Sequence, residues 1–199
     1  MHGKVKVFFL ALLMVALAGA AQAEMIFPVG YTLTYSAQAG GSSWTSTLSF
    51  TSTTTLQMIS WDSPSQTVSA PVELTVDTFF LDQGQNLQPF FRLLPEGNSW
   101  TFTGDNSLTV TATVVDIIDS FTVEAGTFNN VYKVHYESTT MNEDFYWLPG
   151  LGLLKAVDYG KDPDHIHTLT SYATPIPPSV LLLGSGLMGL AVLRRFRKG

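Results

Sequence analysis

Trp44-Thr45-Ser46-Thr47-Leu48-Ser49-Phe50-Thr51 alternates without a break. In an extended chain successive side chains point to opposite faces, so Trp44, Ser46, Leu48 and Phe50 share one side and Thr45, Thr47, Ser49 and Thr51 the other. A mostly apolar face backed by a hydroxyl face is the pattern of a half-buried strand in an antiparallel sheet with one wet surface. The same alternation recurs along the chain. Before it, Tyr31 to Tyr35 reads as a short strand entered from Phe27-Pro28-Val29-Gly30 and separated by a turn at Gly40-Gly41-Ser42-Ser43. After it, Leu56 to Trp61 forms the next strand, broken by Asp62-Ser63-Pro64-Ser65, and then Val72, Leu74 and Val76 oppose Glu73, Thr75 and Asp77.

The second half carries the same signals. Gly97-Asn98 turns into Ser99-Trp100-Thr101-Phe102. Leu108 to Val115 alternates, and Val114-Val115-Asp116-Ile117-Ile118 becomes apolar on both faces, which suits a central strand. Phe121 to Glu124 and Asn130 to Glu137 flank Gly126; in the latter, Tyr132, Val134 and Tyr136 oppose Val131, Lys133 and His135. Phe145 to Leu148 and Leu153 to Tyr159 are separated by Pro149-Gly150-Leu151-Gly152, and Thr168 to Tyr172 is the last strand. Only Phe79 to Leu94 resists assignment: it fits a short helix or a long apolar loop, because Pro89 and Pro95 limit any regular element. The expected fold is mainly β, a single antiparallel curved sheet (half-barrel) or a β-sandwich. An N-terminal signal helix precedes it and a C-terminal transmembrane helix follows it. Phe27-Pro28-Val29-Gly30 before Tyr31 to Tyr35 is echoed by Leu94-Pro95-Glu96-Gly97 before Asn98 to Phe102, 67 residues on, which reads equally as a duplication and as chance.

The charge of the chain is unevenly distributed. Residues 24–178 contain all 16 acidic side chains but only Arg92, Lys133, Lys155 and Lys161 as strong bases, 4 − 16 = −12 with His neutral. So acidic a surface repels nucleic acid, and none is expected as a partner. Cysteine is absent, which excludes disulfides, thiolate catalysis and Cys-based metal centres.

The two ends are of different composition. Lys4 and Lys6, an apolar run from Val7 to Leu17, and Ala21-Gln22-Ala23 form the three parts of a secretory signal peptide over residues 1–23, with the cut expected after Ala23. Residues 24–172 are the acidic extracytoplasmic β domain. Residues 173–179 are a proline-rich linker containing Pro175, Ile176, Pro177, Pro178 and Ser179. Residues 180–193 are uncharged and read as a short membrane helix. Arg194, Arg195, Arg197 and Lys198 in the tail, residues 194–199, act as a membrane stop that stays cytoplasmic. Gly184-Ser185-Gly186-Leu187-Met188-Gly189 matches G-x-G-x-x-G but lacks the βαβ context of a dinucleotide site, so no cofactor is assigned; Ser185 and Gly189 instead suit close helix packing in a membrane.

This three-part end resembles the PEP-CTERM sorting signal processed by exosortases in Gram-negative bacteria. The Pro-Glu-Pro form is absent, and Pro175-Ile176-Pro177-Pro178-Ser179 stands in its place as a variant. The resemblance implies residence in the inner membrane with the body in the periplasm. After processing near the prolines, the body would pass to the periplasm, the outer surface or the extracellular matrix. Signal peptidase, the secretion translocon, an exosortase-like enzyme and membrane lipid are the implied partners. Within the body, Leu94 to Trp100, Val123 to Tyr132 and Tyr146 to Lys155 are similar to exported β domains of unknown function of the lipoprotein-carrier-like kind. Related sequences tend to have proline where Ala125 stands and valine where Leu151 stands. That resemblance implies a strongly curved antiparallel sheet and carries over no catalytic residue.

Three groups in the body are candidate sites. Asp158, Asp162, Asp164, His165 and His167 are the densest polar set; they read as a solvated loop, as calcium ligands, or as a His-x-His pair facing one transition metal. Glu137, Glu143 and Asp144 offer paired carboxylates, although crowded acids are expected in so acidic a domain, and His135 falls beside Lys133 and Glu137 on a polar face. Trp44, Trp61, Trp100 and Trp147 with seven tyrosines either form core or line a groove for sugar or acyl chains. None is assigned as a catalytic, cofactor or metal site. The expected function is a non-enzymatic structural or interaction role in the cell envelope or extracellular matrix; the alternative is a binding module for a lipid, polysaccharide or other hydrophobic ligand.

Overall fold

The computed structural model describes residues 29–60, 63–75, 77–82, 86–104, 107–159 and 165–173, and among these described residues there are fourteen strands. The first half contributes β1 (Thr32–Ala39), β2 (Ser42–Ser52), β3 (Thr55–Ile59), β4 (Thr67–Leu74), β5 (Thr78–Asp82) and β6 (Leu87–Arg92). The second contributes β7 (Ser99–Thr103), β8 (Thr109–Ile118), a small hairpin of β9 (Phe121–Val123) and β10 (Gly126–Phe128), then β11 (Val131–Glu137), β12 (Asn142–Leu148), β13 (Gly152–Asp158) and β14 (His165–Ala173). Twelve of them form one antiparallel sheet in the order β6-β5-β4-β3-β2-β1-β14-β13-β12-β11-β8-β7. The signal segment, the linker, the apolar helix and the basic tail lie outside the described residues.

The sheet curls into a nearly closed barrel. Its two edges, β6 and β7, are consecutive in sequence, and side chains rather than a backbone ladder bridge them. The Trp100 indole N–H donates to the Pro89 carbonyl (2.6 Å), the Tyr136 hydroxyl to the Phe90 carbonyl (2.6 Å), and the Thr103 amide to Gln88 Oε1 (3.3 Å). Rings from both sides of this seam fill the interior. Phe90 stacks on Tyr136 (5.1 Å between centroids) and meets Phe79, Phe102, Phe145 and Trp147, while Phe91 stacks on Trp147 (5.0 Å). Aromatic pairs at these separations add to the hydrophobic gain of burying the rings.

The alternation from Trp44 to Thr51 is present in the structure. Ser46, Leu48 and Phe50 are buried, Trp44 is half-buried, and Thr45 and Thr51 are exposed. Trp100 and Phe102 likewise point inward while Ser99, Thr101 and Thr103 point out, and Val110, Ala112 and Val114 oppose exposed Thr109 and Thr111. The hydroxyl-rich side is therefore the barrel's exterior. A membrane-spanning barrel needs the reverse arrangement, apolar side chains outside and polar ones within.

Two expectations are corrected. Phe79 to Leu94 is neither helix nor loop but contains the β5–β6 hairpin, with Pro89 inside β6. Proline is admissible there because β6 is an edge strand, where its missing N–H forfeits no ladder bond. A bulge in this hairpin, with Phe79 opposite Phe91 and Phe80 opposite Pro89, leaves Phe90 as the extra residue. Phe90 and Phe91 are then both buried, which breaks the alternation that would have revealed a strand. The run Val114 to Ile118 is not buried on both faces either. Lys133 pairs with Asp116 and Val134 with Val114, so Val115 bulges out and is 40% exposed.

The echo between the halves has a structural counterpart. Gly30 and Gly97 both take positive φ, 84° and 80°, a region open to glycine at little cost. The Gly30 amide donates to the Phe50 carbonyl and the Phe50 amide to the Tyr31 carbonyl; Gly97, Val114 and Asn98 repeat the same reciprocal pair. In each half two residues face one across the hairpin, a glycine-type bulge that starts a six-stranded meander in the main sheet.

Candidate functional site

The inward face is not apolar throughout. On β14, His167 is buried at the position paired with Ala37 of β1 and Ala156 of β13. Its Nδ1 lies 3.0 Å from Ser46 Oγ on β2, itself fully buried, and the edge of the Tyr35 ring packs against it. Two residues along the same strand, hence on the same face, His165 brings its Nε2 to 3.2 Å from the Nε2 of His167. The half-buried Trp44 indole lies 5.9 Å from the His165 ring. Burial, and then the neighbouring His165, push the pKa of His167 down to about 3, so the ring is neutral at ordinary pH. Asp158 is the residue paired with His165 across β13 and β14.

His165 and His167 are thus strand residues, and only part of the set singled out in the sequence is brought together. Asp162 and Asp164 lie outside the described residues. Among the described residues, no three His, Asp or Glu side chains gather as a metal-binding group.

The second polar cluster is on the outward face. Asp144 of β12 is 5% exposed, and three groups converge on it. Lys133 Nζ lies 2.8 Å from Oδ2, His135 Nδ1 lies 2.8 Å from Oδ1, and the Tyr159 hydroxyl donates to Oδ2 at 3.0 Å. Burial pushes the Asp144 pKa up, but the hydrogen bonds from Lys133, His135 and Tyr159 outweigh it and hold the carboxyl below its usual range. The same bond to Asp144 raises the pKa of Lys133. Beside the cluster, Tyr146 lies between the ammonium groups of Lys133 and Lys155, 5.8 and 5.9 Å from its ring centre, and Phe121 stacks on it at 4.6 Å.

The paired-carboxylate idea does not assemble. Glu143 and Asp144 are consecutive on one strand and face opposite sides of the sheet, Glu143 paired with Tyr136 and Asp144 with His135. His135 does fall on the polar face, as alternation implies, but Asp144 as its partner was missed. The signal lies in the β11–β12 register set by the Ser138–Met141 turn, which single-strand periodicity does not give.

The aromatics are mainly core. Trp100 and Trp147 are buried, and Trp61 lies outside the described residues. Tyr31, Tyr35 and Tyr136 are buried with their hydroxyls donated to the carbonyls of Leu151, Leu153 and Phe90, and burial raises all three pKa values. Tyr159 and Tyr172 are exposed at their strand ends. Ala21, Ala23, the residues Pro175 to Ser179, and Arg194, Arg195, Arg197 and Lys198 lie outside the described residues. Compared with family models, curated proteins and solved structures, the chain matches none of them.

Proposed function

We propose that this chain is an exported cell-envelope or extracellular-matrix protein with a structural or interaction role, tethered by its C-terminal helix until an exosortase-like enzyme processes it. The observation that carries the reading is the pairing of the first and last strands. Thr32 lies opposite Ala173, so the segments before Val29 and after Ala173 join the barrel at one rim. The described chain thus begins and ends at one rim, where a leader and a tail would both attach. The hydroxyl-rich exterior and the net −12 of the body favour a domain kept in solution beside the membrane rather than inserted in it. The ring-packed interior supports a structural or surface-interaction role over the alternative of a module enclosing a hydrophobic ligand.

Intact-mass analysis of the native protein from membrane, periplasmic and extracellular fractions tests this. The expected mature chain begins at Glu24 and is recovered from the envelope or beyond it, with a second, shorter form ending near Pro175 to Ser179. Recovery of an uncut chain, beginning at Met1 and shielded from protease added outside the inner membrane, overturns it.

A further inference from the structure

Two imidazole nitrogens 3.2 Å apart need something between them, either one shared proton or one metal ion. The spacing distinguishes the geometries an ion would adopt. With His–metal bonds of about 2.0–2.1 Å, a 3.2 Å separation corresponds to a nitrogen–metal–nitrogen angle of about 100°, between the square-planar and tetrahedral values. A linear two-coordinate ion would hold the nitrogens about 4 Å apart and does not fit.

We propose that His165 and His167 are a two-nitrogen site for a borderline divalent ion such as Zn(II), Ni(II) or Cu(II), with the remaining positions taken by solvent or by an exogenous ligand. Several features of the barrel point the same way. A ligating histidine almost always has its second ring nitrogen fixed by a hydrogen bond, and Ser46 Oγ takes that place at His167 Nδ1. With Nδ1–H donated to Ser46, the Nε2 lone pair of His167 is directed at His165. His167 is anchored in the core, whereas His165 is half-buried, so the pair has one fixed ligand and one reachable from solvent. Asp158, paired with His165, adds negative charge on the same face, as does the acidity of the body as a whole. Imidazole nitrogen selects against calcium, which takes hard oxygen ligands. With two nitrogens converging among the described residues, the site is an exchangeable one of modest affinity, not a structural cage.

Calorimetric titration of the full chain with Zn(II), repeated with Ni(II), and the absorption spectrum with Co(II) as a stand-in, test the proposal. Expected is one equivalent bound with a dissociation constant in the micromolar range, calcium failing to compete, and a d–d spectrum from the Co(II) form. His165→Gln, at the more exposed ligand, should weaken binding at least tenfold while leaving the fold intact by circular dichroism. Ser46→Ala should weaken it less, and His135→Gln not at all. The proposal is overturned if the chain takes up no Zn(II) or Ni(II) saturably below 100 µM, if His165→Gln binds as tightly as the parent chain, or if His135→Gln abolishes binding. In the last two cases the ion sits elsewhere; in the first, the two rings share a proton only.

Discussion

The barrel closes in two places that occupy equivalent positions in its two six-stranded halves, and it closes differently in each. Where β14 meets β1, strands from opposite ends of the chain form a ladder from Thr32–Ala173 to Gln38–Ile166, with one bulge. Where β6 meets β7, strands adjacent in sequence are bridged by side chains, through Trp100 and Gln88, the Phe90–Phe102 contact and Tyr136 of β11. Proximity along the chain evidently does not decide which strands pair. Pro89 has no amide to give, and the bulge at Phe90 turns backbone groups toward side-chain donors, so the aromatic core holds the seam that hydrogen bonding leaves open.

A proline placed in each closure should separate the two most strongly. Thr168 lies between Lys155 of β13 and Ser36 of β1, so its amide meets a strand whichever way it points. Thr168→Pro removes a ladder hydrogen bond in the middle of the sheet and should cost about 3 kcal/mol in urea denaturation, the upper end for a buried group left unpaired. The Thr103 amide faces the seam, and alternation turns the Thr101 amide the same way. Thr101→Pro should therefore cost less than about 1 kcal/mol. Equal losses would mean that the seam carries a backbone ladder in solution.

A smaller effect separates the halves electrostatically, because the charged cluster lies wholly in the second. Asp144→Asn should cost about 2 kcal/mol at neutral pH, as hydrogen bonds to a charged group do. The signs follow from the two shifts. The Asp144 pKa is lowered, so its contribution is present above the unfolded carboxylate value of about 3.9 and lost as pH falls through the folded value. The Lys133 pKa is raised, so its contribution is present below about 10.4 and lost as pH rises through the folded value. The variant's deficit against the parent chain should accordingly narrow at both extremes in denaturation curves measured across pH; a constant deficit would detach the loss from ionisation.

The smallest effect sharpens the likeness of the halves. Gly97 has open space around the position of a Cβ, so Gly97→Ala tests backbone strain alone. Gly30→Ala and Gly97→Ala should each cost about 1 kcal/mol by melting temperature, because alanine disfavours their positive φ. A cost at one site only would separate the two bulges that begin the halves.

Within a strand, the sequence was readable because alternation is local: once Ser46, Leu48 and Phe50 are seen two residues apart, their common face follows from the extended backbone without any partner. That fixed the antiparallel β class, the inward and outward faces of β2, β7 and the start of β8, and the repeated Pro-x-Gly entry to β1 and β7. It failed where a bulge put consecutive residues on one side, as at Phe90 and Phe91, since periodicity is then lost at the residues that matter most to the core. The meeting of His167 with Ser46 across 121 residues, the convergence of Lys133, His135 and Tyr159 on Asp144, and the closure of the sheet belong to the tertiary structure alone. Register and curvature arise from pairing between distant segments, and no pattern within one segment contains the position of its neighbour.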